Sequence, residues 1–155
     1  MKKEIIKVPI FVFKSKKFNK RYGAKTIAIT EPCNSKRKEC EIHIRSGLTN
    51  TKFRTTIRHE IGHIITEHEK IGSKIPHTER IKLQKASSTV LPNRKFIDKK
   101  ERMREMLAII YEKIKDKNKS QLKIINKNVP LTKALVENAI RRIKIKQEII
   151  KYNKQ

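Results

Sequence analysis

The 155-residue chain has no tryptophan, only two cysteines and four glycines, and no run of about 18 apolar residues that could span a bilayer. Cys33 and Cys40, with six residues between them, match neither the Cys-x2-Cys half of a zinc ribbon nor a dithiol redox motif, so reduced thiols are expected. Charge and Pro9 interrupt the apolar residues of the N-terminus before a signal-peptide core can form. A cytoplasmic protein with no membrane partner is therefore expected. Neither an internal repeat nor a low-complexity linker divides the chain.

Negative charge is scarce as well: 15 acidic residues stand against 40 basic ones, for a net charge of +25. Residues 1–92 carry 21 basic and 8 acidic groups and residues 93–155 carry 19 and 7, so the excess is spread over the chain and not gathered into a tail. Such a field draws polyanions non-specifically, nucleic acid first among them. A lysine-rich background composition accounts for the charge equally well, because no aromatic interleaving or nucleic-acid motif accompanies it.

What is present is enough to build a core, with 36% hydrophobic residues in a chain of one domain's length. Residues 4–13 are β-branched and aromatic and predict one or two strands, broken near Pro9. Lys25–Thr30 and Glu41–Arg45 alternate at period two, with a turn-like composition between them, and predict a hairpin. After Gly47 the period becomes helical. Asn50 or Thr51 can cap a helix on which Phe53, Ile57, Ile61, Ile64 and Ile65 share a face. Further helices are predicted from Thr78 or Glu79 to Val90, over 98–116, over 120–127, and over 131–152 after a hinge at Val129-Pro130.

The first of these helices contains His59-Glu60-Ile61-Gly62-His63. Residues four apart lie one turn apart on one face, so two neutral imidazoles can share one Zn²⁺. With His59 at 0° on the helical wheel, His63 falls at about 40°, Glu60 at about 100° and the apolar stripe near roughly 165°. The imidazoles thus point away from the predicted core face, toward a cleft. Glu60 stands beside them, where a carboxylate can act as general base on zinc-bound water and direct it at a polarised carbonyl. With 5 histidines and 13 glutamates, the motif arises by chance in on the order of one such chain in a hundred, so a metal site is favoured over unrelated surface histidines. His68, on another side of the wheel, reads as a surface residue.

The surroundings of the motif resemble the ImmA/IrrE family of small gluzincin-type metallopeptidases. In that family an edge strand leads through a short loop into a helix reading Arg-Phe-Thr-Ile-Ala-His-Glu-x-Gly-His. Here Ile42-His43-Ile44 and Leu48 precede Arg54-Thr55-Thr56-Ile57-Arg58-His59-Glu60-Ile61-Gly62-His63. Thr55 and Arg58 replace the usual phenylalanine and alanine. Gly62, with no side chain beside the metal, lets another backbone approach.

The resemblance implies a third ligand, a glutamate opening a second helix. Glu79 fits, followed by Ala86, Val90, Leu91 and Pro92 at matching offsets, although Lys82 and Lys85 stand where alanine and phenylalanine are usual. Two alternatives stay open. His77, followed four positions on by Ile81, suits the SprT/Spartan-like proteases that act on DNA-bound proteins. Glu105, in Glu105-Met106-Leu107-Ala108, has a Glu-x-x-Ala form seen near third ligands.

The expected fold is α+β: a small twisted antiparallel or mixed sheet packed on the motif helix and a second helix, in the manner of the minigluzincins. This metallopeptidase core is expected over residues 1–92, with a basic, loosely helix-turn-helix-like extension over 93–155 packed on it. The expected function is zinc-dependent hydrolysis of a protein substrate, with a DNA-binding regulator as the substrate class the resemblance suggests. The alternatives are an SprT-like protease acting on DNA-bound proteins and a basic nucleic-acid-binding protein with a structural metal. Oligomeric state is not legible in the sequence.

Overall fold

The computed structural model describes residues 3–34, 39–85 and 98–151. Among these residues four strands and seven helices follow in the order β1 (Glu4–Phe13), α1 (Ser15–Tyr22), β2 (Ala28–Asn34), β3 (Glu39–Arg45), α2 (Asn50–His68), α3 (Ile71–Lys74), α4 (His77–Gln84), α5 (Lys99–Asp116), α6 (Lys119–Asn128), α7 (Pro130–Arg142) and β4 (Ile143–Lys151). The strands form one mixed sheet in the order β2-β3-β1-β4. β2 and β3 make the expected antiparallel hairpin, while β1 runs parallel to both β3 and β4. The α+β class is as the sequence predicts.

Side-chain alternation gives each sheet face its partner. Ile6, Val8 and Ile10 of β1 and Ile42 and Ile44 of β3 are buried in the main core together with Ile57, Ile61, Ile64 and Ile65 of α2. The opposite face carries Phe11, Phe13 and His43; the His43 ring meets Phe11 edge-on, Phe13 at a tilt, and Tyr22 of α1 edge-on. On the other side of α2 lies α5, buried from Met106 through Tyr111. A helix apolar all round its middle must be enclosed on every side, and α5 is. No helix among the described residues is long and apolar enough to cross a membrane.

Several expectations are corrected. Residues 4–13 form one unbroken strand, since Pro9 pairs with Glu148 on the β4 side and the β3 ladder begins only at Ile10. Helix α1 has no counterpart in the sequence reading; its one buried residue is Phe18. The cap of α2 is Thr49, whose side chain accepts from the Lys52 amide at 3.2 Å, in place of Asn50 or Thr51. The predicted helix over 131–152 stops at Arg142 and becomes β4, where Ile143 and Ile145 lie beside Glu4 and Ile6. Unpaired backbone along β1 outweighs the helical propensity of the lysine-rich tail. The helix expected to reach Val90 is described only as far as Gln84; Val90 and Pro92 lie outside the described residues. Cys40 is disulfide-bonded and not a reduced thiol. Cys40 lies on β3, which pairs through Glu39 with Asn34 of β2, the strand whose span includes position 33. In the C-terminal segment α5 packs on α2 and β4 joins the sheet beside β1.

The approach of α5 to α2 depends on Gly62. A Cβ there would lie 3.0 Å from the carbonyl oxygen of Ala108 and 3.0 Å from Cδ1 of Tyr111. The first is backbone of a buried helix and cannot move aside alone. Gly62→Ala is expected to destabilise the fold by about 1–3 kcal/mol, despite the higher helix propensity of alanine. A urea unfolding midpoint equal to or above that of the wild type would refute this.

Candidate metal centre

Helix α2 supplies His59, Glu60 and His63, and α5 supplies Glu105 and Glu112. On α5 the two glutamates are seven residues apart, close to two full turns, and so share a face. That face meets the histidines. Glu105 sits between the two rings, with Oε2 2.9 Å from Nε2 of His59 and Oε1 2.9 Å from Nε2 of His63. The rings are nearly perpendicular, with centroids 4.7 Å apart. One ligand atom from each of His59, His63 and Glu105 lies within 4.8 Å of the others.

Two imidazole nitrogens and one carboxylate oxygen in that space are a donor set for a divalent cation with a coordination position left open. The burial pattern fits this use. His63 is 2% exposed, and its Nδ1 has no hydrogen-bond partner among the described residues, so the ring is held through Nε2 alone. His59 is held at both nitrogens, its Nδ1 lying 2.6 Å from Oε1 of Glu112. A carboxylate on Nδ1 fixes the tautomer that leaves the Nε2 lone pair for a metal, and orients the ring.

Glu60 is buried beside this group, and the Thr30 hydroxyl of β2 donates to its Oε2. It lines a cleft of about 320 Å³ together with His59, Glu105 and Glu112. The opposite wall of the cleft is Lys25–Ala28, leading into the edge strand β2. The open ligand face expected from the helical wheel is thus half closed: α5 covers His63, and the cleft is reached from the β2 side.

Electrostatics tie the three groups together. Burial alone would push Glu105 up, but hydrogen bonds to His59 and His63 hold it well below the usual carboxylate range. Burial likewise opposes the charged form of His59, yet Glu105 and Glu112 outweigh it and raise its pKa to about 9. Both shifts describe one interaction, a proton shared where a cation would otherwise sit. Arg104 adds positive charge nearby, paired with Glu67 and 3.8 Å from Oε1 of Glu105.

The third-ligand expectation at Glu79 is corrected. Glu79 is buried on α4, away from the histidines, and its carboxylate accepts from the amides of Leu131 (3.2 Å) and Thr132 (2.8 Å) and from the Thr132 hydroxyl (2.8 Å). It caps α7, whose own N-cap residue, Val129, offers no side-chain acceptor. His77 is exposed at the start of α4 and is not in the group. Glu105, the remaining alternative, is the residue beside the histidines. His68 lies apart, with Nε2 3.1 Å from Oε1 of Glu4. The sequence reading missed Glu112 and Thr30. The two-turn spacing of Glu105 and Glu112 was the one available signal for the former, while Thr30 reaches Glu60 only through the tertiary fold.

No protein-family model, curated protein or solved structure matches the chain.

Two predictions follow from the geometry. Glu105→Gln is expected to abolish stoichiometric binding of a divalent cation, measured by metal analysis after dialysis, whereas Glu79→Gln keeps the metal and costs about 1–3 kcal/mol of stability through the uncapped amides of α7. A Glu79 variant that loses the metal would restore it as a ligand. The second concerns pH. His59 has a folded pKa above its ordinary value of 6.5, so its favourable charge interaction in the metal-free protein is fully present below pH 6.5 and lost as pH rises through about 9. A cation must displace that proton. Metal affinity measured by calorimetry is therefore expected to strengthen from pH 6.5 to 9 with proton release, and a flat profile would contradict it.

Proposed function

We propose that the chain is a zinc-dependent peptidase acting on a protein substrate, with His59, His63 and Glu105 as the zinc ligands and Glu60 as the general base. The observation that carries this reading is the convergence of the two motif histidines on Glu105, beside a buried Glu60 held by Thr30. Zinc in such a donor set supplies Lewis acidity, polarising a carbonyl and making water acidic enough to ionise near neutral pH. The chain's own groups supply the rest. Glu60 accepts a proton from water and returns it to the leaving amine, and Thr30 keeps its carboxylate turned into the cleft. Glu112 fixes the ring of His59.

A peptide is favoured as substrate because the cleft opens at Ala28, the first residue of β2, which is an edge strand with one side of its backbone unpaired among the described residues. An extended segment can add to such an edge through main-chain hydrogen bonds, which positions it without regard to side chains. Glu105-Met106-Leu107-Ala108 also suits the resemblance to the ImmA/IrrE peptidases, with Glu105 in the role expected of Glu79. The position of His77, away from the histidines, weighs against the SprT/Spartan-like alternative. Cleavage of a DNA-binding regulator belongs to the same proposal and rests on that resemblance.

Glu60→Gln tests the mechanism. Zinc content is expected to stay stoichiometric while the rate of cleavage of an unfolded protein substrate falls by roughly 10²–10⁴-fold. Retained activity rejects Glu60 as the base. A nucleic-acid-binding role with a structural metal, which rests on the net charge of +25, would survive the substitution with its salt-dependent affinity unchanged.

A further inference from the structure

A second concavity lies along α2, separate from the metal cleft. One wall is Phe53, Ile57, Ile61 and Ile65, a four-residue repeat that runs about 18 Å along the helix. The floor is β4, through Ile143, Ile145 and Ile149. The space between them is about 580 Å³, and a further stretch of about 390 Å³ shares Phe53 and Ile149 with it and reaches Val12 and Leu48.

The sheet explains why the groove exists. Ile145 pairs with Ile6 and Ile149 with Ile10 in a parallel ladder, so these β4 residues point to the face that α2 covers. Ile6 and Ile10 are 3% and 0% exposed, but Ile149 is 55% exposed. Among the described residues the helical layer therefore stops short of the outer strand and leaves a strip of apolar sheet uncovered. An apolar sheet face is ordinarily covered by a helix or a second sheet.

The rim has one sign of charge. Lys3, Arg54, Arg58, Lys115 and Lys144 border the larger stretch, and Lys14, Arg45 and Lys151 the smaller. Among the described residues no acidic one lines either stretch. Arg58 is paired with Asp116. Among the described residues Lys3, Arg54, Lys115 and Lys144 have no ion-pair partner.

We propose that this groove docks an acidic amphipathic helix of a partner protein, which completes the helical layer over β4. The apolar stripe of such a helix would fill the strip between α2 and β4, with its carboxylates meeting the cations on both rims. Cations on both the α2 and the β4 side of the groove favour an occupant with several negative charges over a single-headed fatty acid. The apolar floor favours a helix over a nucleic-acid backbone. The inference does not depend on catalysis, because the groove and the metal cleft are lined by different sides of α2 and share no lining residue.

The test uses the full chain and a fluorescein-labelled synthetic helix of four turns, with leucine at i, i+4, i+7 and i+11 and glutamate on the remaining faces. Anisotropy is expected to show saturable binding that weakens with salt. Ile149→Glu and Arg54→Glu, both at exposed positions, are each expected to weaken it by about tenfold or more, while Ile124→Glu on α6, outside the groove, leaves it unchanged. Circular dichroism on each variant confirms the fold. Absence of binding overturns the proposal, as does equal affinity for the same peptide with lysine in place of glutamate, or indifference to Ile149→Glu. Tighter binding of palmitate or a DNA duplex with the same dependence on Ile149 would assign the groove to that ligand instead.

Discussion

The Glu105 carboxylate reaches between two imidazoles because α2 and α5 pack almost backbone to backbone at Gly62 and Ala108. Much else in the molecule follows from that contact. It makes α5 a core helix, so the residues after position 98 are indispensable to the site and not an appendage. It encloses His63 and strengthens every interaction in the cluster by removing water. It also moves the opening of the site to the β2 side, where Thr30 and the edge of the sheet are found.

The local charge balance runs against that of the whole chain. Only 15 acidic residues are available, yet Glu60, Glu105 and Glu112 all border one small cleft. Carboxylates brought together away from water destabilise one another unless cations or protons intervene. In the metal-free protein the proton on His59 takes that part. A divalent cation would do so more effectively, neutralising Glu105 and leaving Glu60 free to accept a proton. The surrounding positive field adds a long-range attraction for anionic partners, which the acidic cleft itself does not offer.

The sequence made the centre of this arrangement legible because the relevant information is local. His59, Glu60 and His63 are fixed by helical geometry, and the apolar residues of α2 recur at a spacing that only a helix satisfies. The β2–β3 hairpin and the span of α5 were readable for the same reason. What failed required knowledge of neighbours. Glu79 looks like a ligand by offset, but its carboxylate answers the bare N-terminus of α7, more than fifty residues on. β4 has the composition of a helical tail and becomes a strand because β1 presents an unfilled edge. Pro9 reads as a strand break until the ladders on its two sides are known to begin at different residues. Cys40 reads as a free thiol until the hairpin register is known.

Helix α2 therefore serves three surfaces at once: the sheet, α5, and the groove beside β4. Its second half has no side left over, being buried from Glu60 to Thr66. Its first half is different, with Thr51, Lys52, Arg54 and Thr55 exposed. Lys52 and Thr55 border the metal cleft and Arg54 borders the groove, so the two openings are separated by the width of one helix. A partner seated in the groove would bear on Phe53 and Ile57, within about two turns of His59 and Glu60 on the same helix. Coupling between docking and the metal centre has a physical route through that single turn, by a small shift of α2 along its own axis, and requires no rearrangement of the sheet.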